Sequence, residues 1–265
     1  MVFNADKFEL LRYWPKAGSK PDNSYTDPEG NMIEERCHLR DLGVEMANDL
    51  TFNIHIENVV AAANKLVGWA MRTFRRRSKN LMLTIWKSLV QSKLDYCSQL
   101  WSPSDQGSIS RLESIAKNFT SQVGGMEGLD YWERLGVLNM YSQERRRERY
   151  QIIFIWKVSQ QLVKGYNLPF KHNPRRGRLV DLPPVVGGCP AAVTNAHEAN
   201  LRVKGAKLFN LLPTELRGLD GVLVDTFKKG LDAWLGTVPD QPTIQGRQRA
   251  AATNSLLDQV VMLPD

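Results

Sequence analysis

Between Glu57 and Asp95 the chain holds no acidic residue, yet it carries Lys65, Arg72, Arg75, Arg76, Arg77, Lys79, Lys87 and Lys93. At about 100° of helix rotation per residue, Lys65, Trp69, Arg72 and Arg76 fall in one narrow stripe. The apolar residues Val59, Ala63, Ala70 and Phe74 lie roughly opposite. Guanidinium forks suit phosphate oxygens, and a flat indole can lie on a sugar or a base. With Arg75, Arg77 and Lys79 extending the tract, the expected chemistry is a grip on a polyanion. The alternative is a solvated face with Trp69 packed elsewhere. Natural surfaces usually intersperse both signs, so the missing acids favour binding.

Two other basic runs carry less weight. Arg145-Arg-Arg-Glu-Arg149 is flanked and interrupted by Glu144 and Glu148, and reads equally well as a charged helix start. Asn173-Pro-Arg-Arg-Gly-Arg178 reads as a flexible basic loop able to touch a phosphate backbone.

Enzymatic constellations are missing from the sequence. There is no Gly-x-x-x-x-Gly-Lys-Ser/Thr phosphate loop and no Gly-x-Ser-x-Gly elbow. His38, His55, His172 and His197 are scattered, and the neighbours Cys37 and His38 would point to opposite faces of a strand. Two-metal nucleotidyl transfer needs acids gathered at strand ends, whereas Asp22, Asp27, Glu29, Asp105, Asp220 and Asp240 sit in turns or on polar faces. No metal or other cofactor is therefore expected in this chain. Cys37, Cys97 and Cys189 are odd in number and far apart, which predicts reduced thiols rather than a disulfide framework.

Several elements must position the cationic tract. Phe8–Trp14 reads as a strand, Pro15–Gly30 as a turn-rich connection, and Met32–Leu39 with Arg40–Met46 as further strands, together a hairpin or small meander. From residue 53 the period becomes helical through Val59, Ala63, Leu66, Val67, Ala70, Met71 and Phe74. A second helix runs through Leu81, Ile85, Trp86, Leu89 and Tyr96 to a stop at Pro103. A third covers about Ile109–Val123 and ends at Gly124-Gly125. Tyr131–Leu135 is short, and Tyr141–Val163 is long with an apolar second half. Residues 165–199, rich in Pro and Gly, read as a linker. Leu201–Leu212 and Asp225–Leu235, with Asp225 as N-cap, are helical, and Ser255–Met262 forms a last short helix. The expected fold is α+β, mostly α. Its divisions are strands over 1–52, a helical domain over 53–164, a linker over 165–199, a helical extension over 200–236 and a tail over 237–265.

The 265 residues have a formal net charge of +7 and a pI near 9.3, which favours phosphate backbones or anionic surfaces as partners. No apolar run approaches a membrane span, and the first residues do not have the layout of a signal peptide. The expected location is intracellular, cytoplasmic or nuclear, with no membrane partner.

Taken in order, several segments are similar to one family. Phe3-Asn-Ala-Asp-Lys7-Phe-Glu-Leu10, His38-Leu-Arg-Asp-Leu-Gly-Val44 and Leu50-Thr-Phe-Asn-Ile-His-Ile56 come first. Trp86-Lys-Ser-Leu-Val90, Leu94-Asp-Tyr-Cys97, Trp101-Ser-Pro103, Leu112–Ala116 and Glu133-Arg-Leu135 follow. Phe209-Asn-Leu-Leu-Pro213, Thr226-Phe-Lys228 and Leu231-Asp232 close the series. Together they resemble the C-terminal part of the reverse transcriptase, an RNA-directed DNA polymerase, of LINE-type (non-LTR) retrotransposons of the jockey-like group. The resemblance covers residues 1 to about 235. It implies a palm remnant, a helical thumb-like bundle on the RNA/DNA template–primer, and a C-terminal helical extension. By the same resemblance Lys7 would sit near an incoming nucleotide. Leu42, Gly43 and Val44 would form a primer-grip-like tip, and Lys65, Arg72 and Arg76 would lie on the duplex backbone. In the family an Asp-Asp turn holds magnesium. It would precede residue 1, so the resemblance implies a fragment of a mobile-element reading frame that binds nucleic acid but does not polymerise by itself. Its missing N-terminal part is then a second expected partner. A non-catalytic helical protein-interaction module is the alternative, because two or three strands need something to pack on.

Overall fold

The computed structural model describes residues 8–13, 23–184, 194, 197–242 and 254–260. Its architecture is α+β and mostly helical, with small two-stranded sheets. The chain divides into two compact units, Met1–Val59 and Val60–Asp265. Among the described residues no helix is long and apolar enough to cross a membrane.

In the first unit, β1 (Leu10–Leu11) pairs in parallel with β2 (Glu35–Arg36), and β3 (His38–Asp41) pairs antiparallel with β4 (Val44–Ala47). A hairpin is thus found only for β3 and β4; β1 and β2, running parallel, cannot be joined by a tight turn. Within the connection between them, one local chain reversal is made around Asp27. Its carboxylate accepts from the backbone N–H of Glu29 and Asn31 and from the Asn31 amide, beside an antiparallel bridge from Thr26 to Met32. Val44 is buried here, as is His55, whose Nδ1 accepts the Glu45 N–H at 3.3 Å. His55 lies in α1 (Asn53–Thr73), the first helix of the chain.

In the second unit the expected second helix is α2 (Lys79–Ile85), a π-helical turn (Trp86–Val90) and α3 (Gln91–Asp95) in succession. The buried Trp86 indole N–H donates to Gln91 Oε1 at 2.8 Å, five residues on, and its ring packs on Phe119 at 4.8 Å. Phe119 belongs to α4 (Gln106–Thr120), which is N-capped by Asp105 through the Ser108 N–H. The next helix, α5 (Tyr131–Leu138), opens on a capping box in which Asp130 and Glu133 satisfy each other's backbone N–H. It is followed by α6 (Gln143–Ser159), capped by Ser142.

The region expected to be a linker contains a hairpin, β5 (Phe170–Asn173) and β6 (Gly177–Val180). Turn-forming residues mark it, but its strands are short and only tertiary partners hold them. Asn210, at the end of α7 (Leu201–Asn210), uses its side chain to accept the Val180 N–H and donate to the Val180 carbonyl. Beyond a short helix α8 (Thr214–Arg217) lies α9 (Val224–Leu235). Its N-cap position is Leu223, not Asp225; Asp225 sits one residue inside the helix and pairs with Lys228. A carboxylate in the first turn still complements the helix dipole, which is why the sequence signal is off by a residue or two. The final helix is α10 (Leu256–Gln259).

The apolar half of α6 shares one core with α7, α9, β6 and Leu256. Trp156 stacks on Phe227 at 4.4 Å with ring planes 7° apart. A Cβ on Gly205 of α7 would stand 3.0 Å from Ile155, so glycine permits this close helix contact. The expected separation of a helical domain ending at 164 from an extension starting at 200 is therefore not a separation of cores.

The other half of α6 buries charge. Arg145 is 0% exposed, with its guanidinium donating to the carbonyls of Val238 and Pro239. Arg146 forms a bidentate pair with Asp95, and Arg149 another with Asp232. Arg147 is buried over the Trp101 ring at 5.0 Å, and burial pulls it down to about 10. Glu148, 0% exposed, accepts from the Ser255 hydroxyl and the Leu256 N–H, while Glu144 accepts the Asn254 N–H at 3.1 Å. The run Arg145–Arg149 is thus a structural joint, with none of its cations left for a surface role.

Burial, and next the Glu148 carboxylate, push Glu144 up to about 7 from 4.5. Its proton-bound form is therefore the favoured folded form. The stability it contributes is complete below about 4.5 and is lost as pH rises through about 7. Glu144→Gln is expected to stabilise the fold at pH 8 by on the order of 1–3 kcal/mol, seen as a higher Tm, and to give far less gain at pH 5. Calorimetry at both pH values checks this; an equal effect at the two would contradict it.

Candidate nucleic-acid interface

The helix α1 buries Ala63, Val67 and Ala70, at steps of four and three, and presents Lys65, Trp69 and Arg72 outward. The helical phase that turns these apolar residues inward leaves the long cations at the surface. Trp69 is 44% exposed, and Phe74 meets it edge-on at 5.9 Å and 86°. The ring is steadied along one edge while much of its surface stays open. The Arg72 guanidinium leans back over Gly68, where a Cβ would stand 3.3 Å from Nη1.

The expected stripe is shorter than its residues implied. The helix stops at Thr73, so Arg76 lies in the connector between α1 and α2 and does not share the helical phase of Lys65, Trp69 and Arg72. Four adjacent bulky or like-charged residues, Phe74 to Arg77, follow a β-branched one, and cations gather at the helix end where the dipole favours them. Arg77 completes the stop by donating to the Met71 carbonyl in the last turn, at 3.3 Å.

The seven residues of the tract separate by what they touch. Arg77 is half-buried and also donates to Gln122 Oε1, while its own carbonyl accepts the Gly124 N–H at 2.8 Å. Lys79 donates to the Val137 carbonyl near the end of α5. These two tie α1 and α2 to the ends of α4 and α5. Lys65, Arg72, Arg75 and Arg76 are exposed and have no hydrogen bond or ion pair among the described residues. The surface left for a ligand is therefore four cations and one indole.

The primer-grip-like residues occupy the β3–β4 turn. Leu42 (φ 45°) and Gly43 (φ 88°) both have left-handed backbone, as the tightest hairpin turns require. Glycine adopts this freely, but leucine is strained there, and Leu42 is 83% exposed. A strained apolar residue held out at a turn tip is a contact surface in form. Val44, by contrast, is buried in the first unit and is a packing residue. The expected strand Arg40–Met46 is broken by this turn, and the strain at Leu42 shows only in the backbone angles. Lys7 lies outside the described residues, as does Cys189, while Cys37 and Cys97 are free thiols. Among the described residues no three His, Cys, Asp or Glu side chains are grouped to hold a metal ion.

The division of labour within the tract is measurable. Arg77→Ala is expected to lower stability by about 1–2 kcal/mol in urea denaturation, whereas Arg76→Ala stays within about 0.5 kcal/mol of wild type. Equal effects from the two would refute the assignment. Leu42→Asn, which tolerates left-handed backbone, should raise stability by about 0.5–1 kcal/mol, and a lower urea midpoint would show that the leucine side chain itself holds the turn.

No protein-family model, curated protein or solved structure matches this chain.

Proposed function

We propose that this chain binds the backbone of a nucleic acid, an RNA/DNA template–primer, through the outer face of α1 and the connector that follows. In this reading it contributes the thumb-like grip of a LINE-type reverse transcriptase and does not polymerise by itself. One observation carries it. Arg146, Arg149 and Arg178 each pair with an aspartate, whereas Lys65, Arg72, Arg75 and Arg76 stand exposed, as does Trp69, and these four cations have no partner among the described residues. Phosphate contacts from such cations fix register along a backbone without reading sequence, and an aromatic face adds stacking that tolerates any base. Lys65 and Arg72 on a helix, next to Arg75 and Arg76 on the connector, suit a ligand that runs past the end of α1. The resemblance would make the β3–β4 tip, with Leu42 and Gly43, the primer-side contact, and the palm-end strands a surface for the remainder of the polymerase.

The open edges of β3 and β4, with exposed Met32 and Leu42, also suit a protein-interaction module. Salt separates the two readings. Four phosphate contacts predict that affinity for an RNA–DNA heteroduplex falls about a hundredfold between 50 and 200 mM monovalent salt. The triple variant K65E/R72E/R76E should lose binding at least tenfold while its Tm stays near that of wild type. Heteroduplex binding that is insensitive to both salt and these substitutions, or unaided primer extension by the purified chain, would overturn the proposal.

A further inference from the structure

The β5–β6 hairpin carries a second set of unpaired cations. Its tip, Pro174-Arg175-Arg176, is held by Asn173, whose Oδ1 accepts the N–H of Arg175 at 2.9 Å and of Arg176 at 3.0 Å. Gly177 follows with φ 68°, and a Cβ there would stand 2.8 Å from the Thr214 methyl, so the tip is pressed against α8. Arg217 of α8, 4% exposed, donates to the Arg176 carbonyl at 2.6 Å and to Thr214 Oγ1 at 3.2 Å, and its Nε has no partner. At the other end of the hairpin the Asn210 amide clasps Val180. The hairpin is thus anchored at both ends, and the tip is a built surface rather than a loose loop.

Charge is distributed unevenly on it. Lys171 pairs with Asp181 and Arg178 with Asp220, both down the strands. Arg175 and Arg176 at the tip are exposed and have no ion pair or hydrogen bond from their guanidinium groups among the described residues. Arg176 also crowds Arg217: burial first, and the Arg176 charge second, hold Arg217 below the usual guanidinium range, against the attraction of Glu215. Like charges gathered on a rigid scaffold repel one another, and an anion seated among them removes that penalty. Two forked donors projecting from a fixed turn match the oxygens of successive phosphodiesters better than a point-like carboxylate.

We propose that the tip formed by Arg175 and Arg176, backed by buried Arg217, is a second phosphate-gripping element that takes the backbone of a nucleic acid. This rests on the nucleic-acid reading above but on different residues, so the two can fail separately. The test is fluorescence anisotropy of a labelled RNA–DNA heteroduplex against the full chain over a salt series. Wild type, R175E/R176E, R175Q/R176Q and K65E/R72E/R76E are compared, with Tm as a folding control. The tip substitutions are exposed and are expected to leave Tm unchanged. R175E/R176E should weaken binding about tenfold and lower the slope of log K on log salt by about two, with the glutamine pair intermediate. If the α1 variant loses affinity and both tip variants match wild type, the hairpin inference is overturned and the α1 reading stands. If the tip variants alone lose affinity, the hairpin is the site and α1 is not. Absence of wild-type binding at 50 mM salt overturns both. Polyglutamate competing as well as heteroduplex at matched salt overturns the assignment to nucleic acid.

Discussion

The second unit is organised by one constraint, the burial of charged side chains along α6. A carboxylate or guanidinium taken out of water must find partners or it destabilises the fold by several kcal/mol. α6 buries Glu144, Arg145, Arg147 and Glu148 together. Glu144, Arg145 and Glu148 find partners far along the chain: the carbonyls of Val238 and Pro239, the N–H groups of Asn254 and Leu256, and the Ser255 hydroxyl. Arg147 instead donates to the Gln143 carbonyl one turn back and lies over the Trp101 ring. Asp240 joins the same network through the Ser142 N–H and hydroxyl. A core with so many polar requirements has few alternative packings that satisfy all of them. The apolar half of the helix supplies the burial, and the charged half dictates which segments lie against it.

The same constraint explains why the cations of this protein divide into two populations. Arginines near the α6 network are drawn into bidentate pairs with Asp95 and Asp232, because partly buried pairs are less screened than exposed ones. The exposed cations on α1, on the connector after it and on the β5–β6 tip have no ion pair among the described residues. A cation that no acid answers adds to the surface potential and attracts polyanions over a distance of about a Debye length. The net charge of the chain is therefore less informative than its arrangement. The arginine-rich run with the most suggestive spelling is internal, while the isolated Lys65 and Arg72 of α1 and Arg75 and Arg76 of the connector face solvent.

Rigidity accompanies each of the exposed sets. Arg77 closes the end of α1 and ties it to Gln122, so Arg75 and Arg76 leave a fixed helix end. The Trp69 ring is braced by Phe74. At the hairpin, Asn173, Asn210 and Arg217 perform the equivalent task. On α1 the residues that fix the geometry are neighbours in sequence of the exposed cations, whereas the hairpin combines a neighbour, Asn173, with the distant Asn210 and Arg217. Preorganised donors lose less conformational entropy when they engage a partner, which is the reason to place charge on such supports.

Much of the local structure was legible in the sequence. The apolar periods of α1, α4 and α6 predicted helices because helical phase alone sorts residues into inner and outer faces. Gly124-Gly125 marked a helix end through backbone freedom, which acts within a few residues, while the caps Asp105 and Asp130 emerged only with the structure. The outward position of Lys65, Trp69 and Arg72 followed from the same phase. What the sequence left open were matters decided by partners distant along the chain. Arg145 to Arg149 read equally well as a weak basic run or a charged helix start, because nothing local reveals that Asp95, Asp232 and residues 238–240 and 254–256 converge on them. Arg77 and Arg76 are adjacent and chemically identical, yet one caps a helix and the other faces solvent, a distinction set by where Met71 and Gln122 stand. The segment around 170–180 read as a linker because its strands are too short to announce themselves, and they pair only where Asn210 and Arg217 hold them. Local physics chose the elements; long-range satisfaction of buried charge chose which of their cations remain for a ligand.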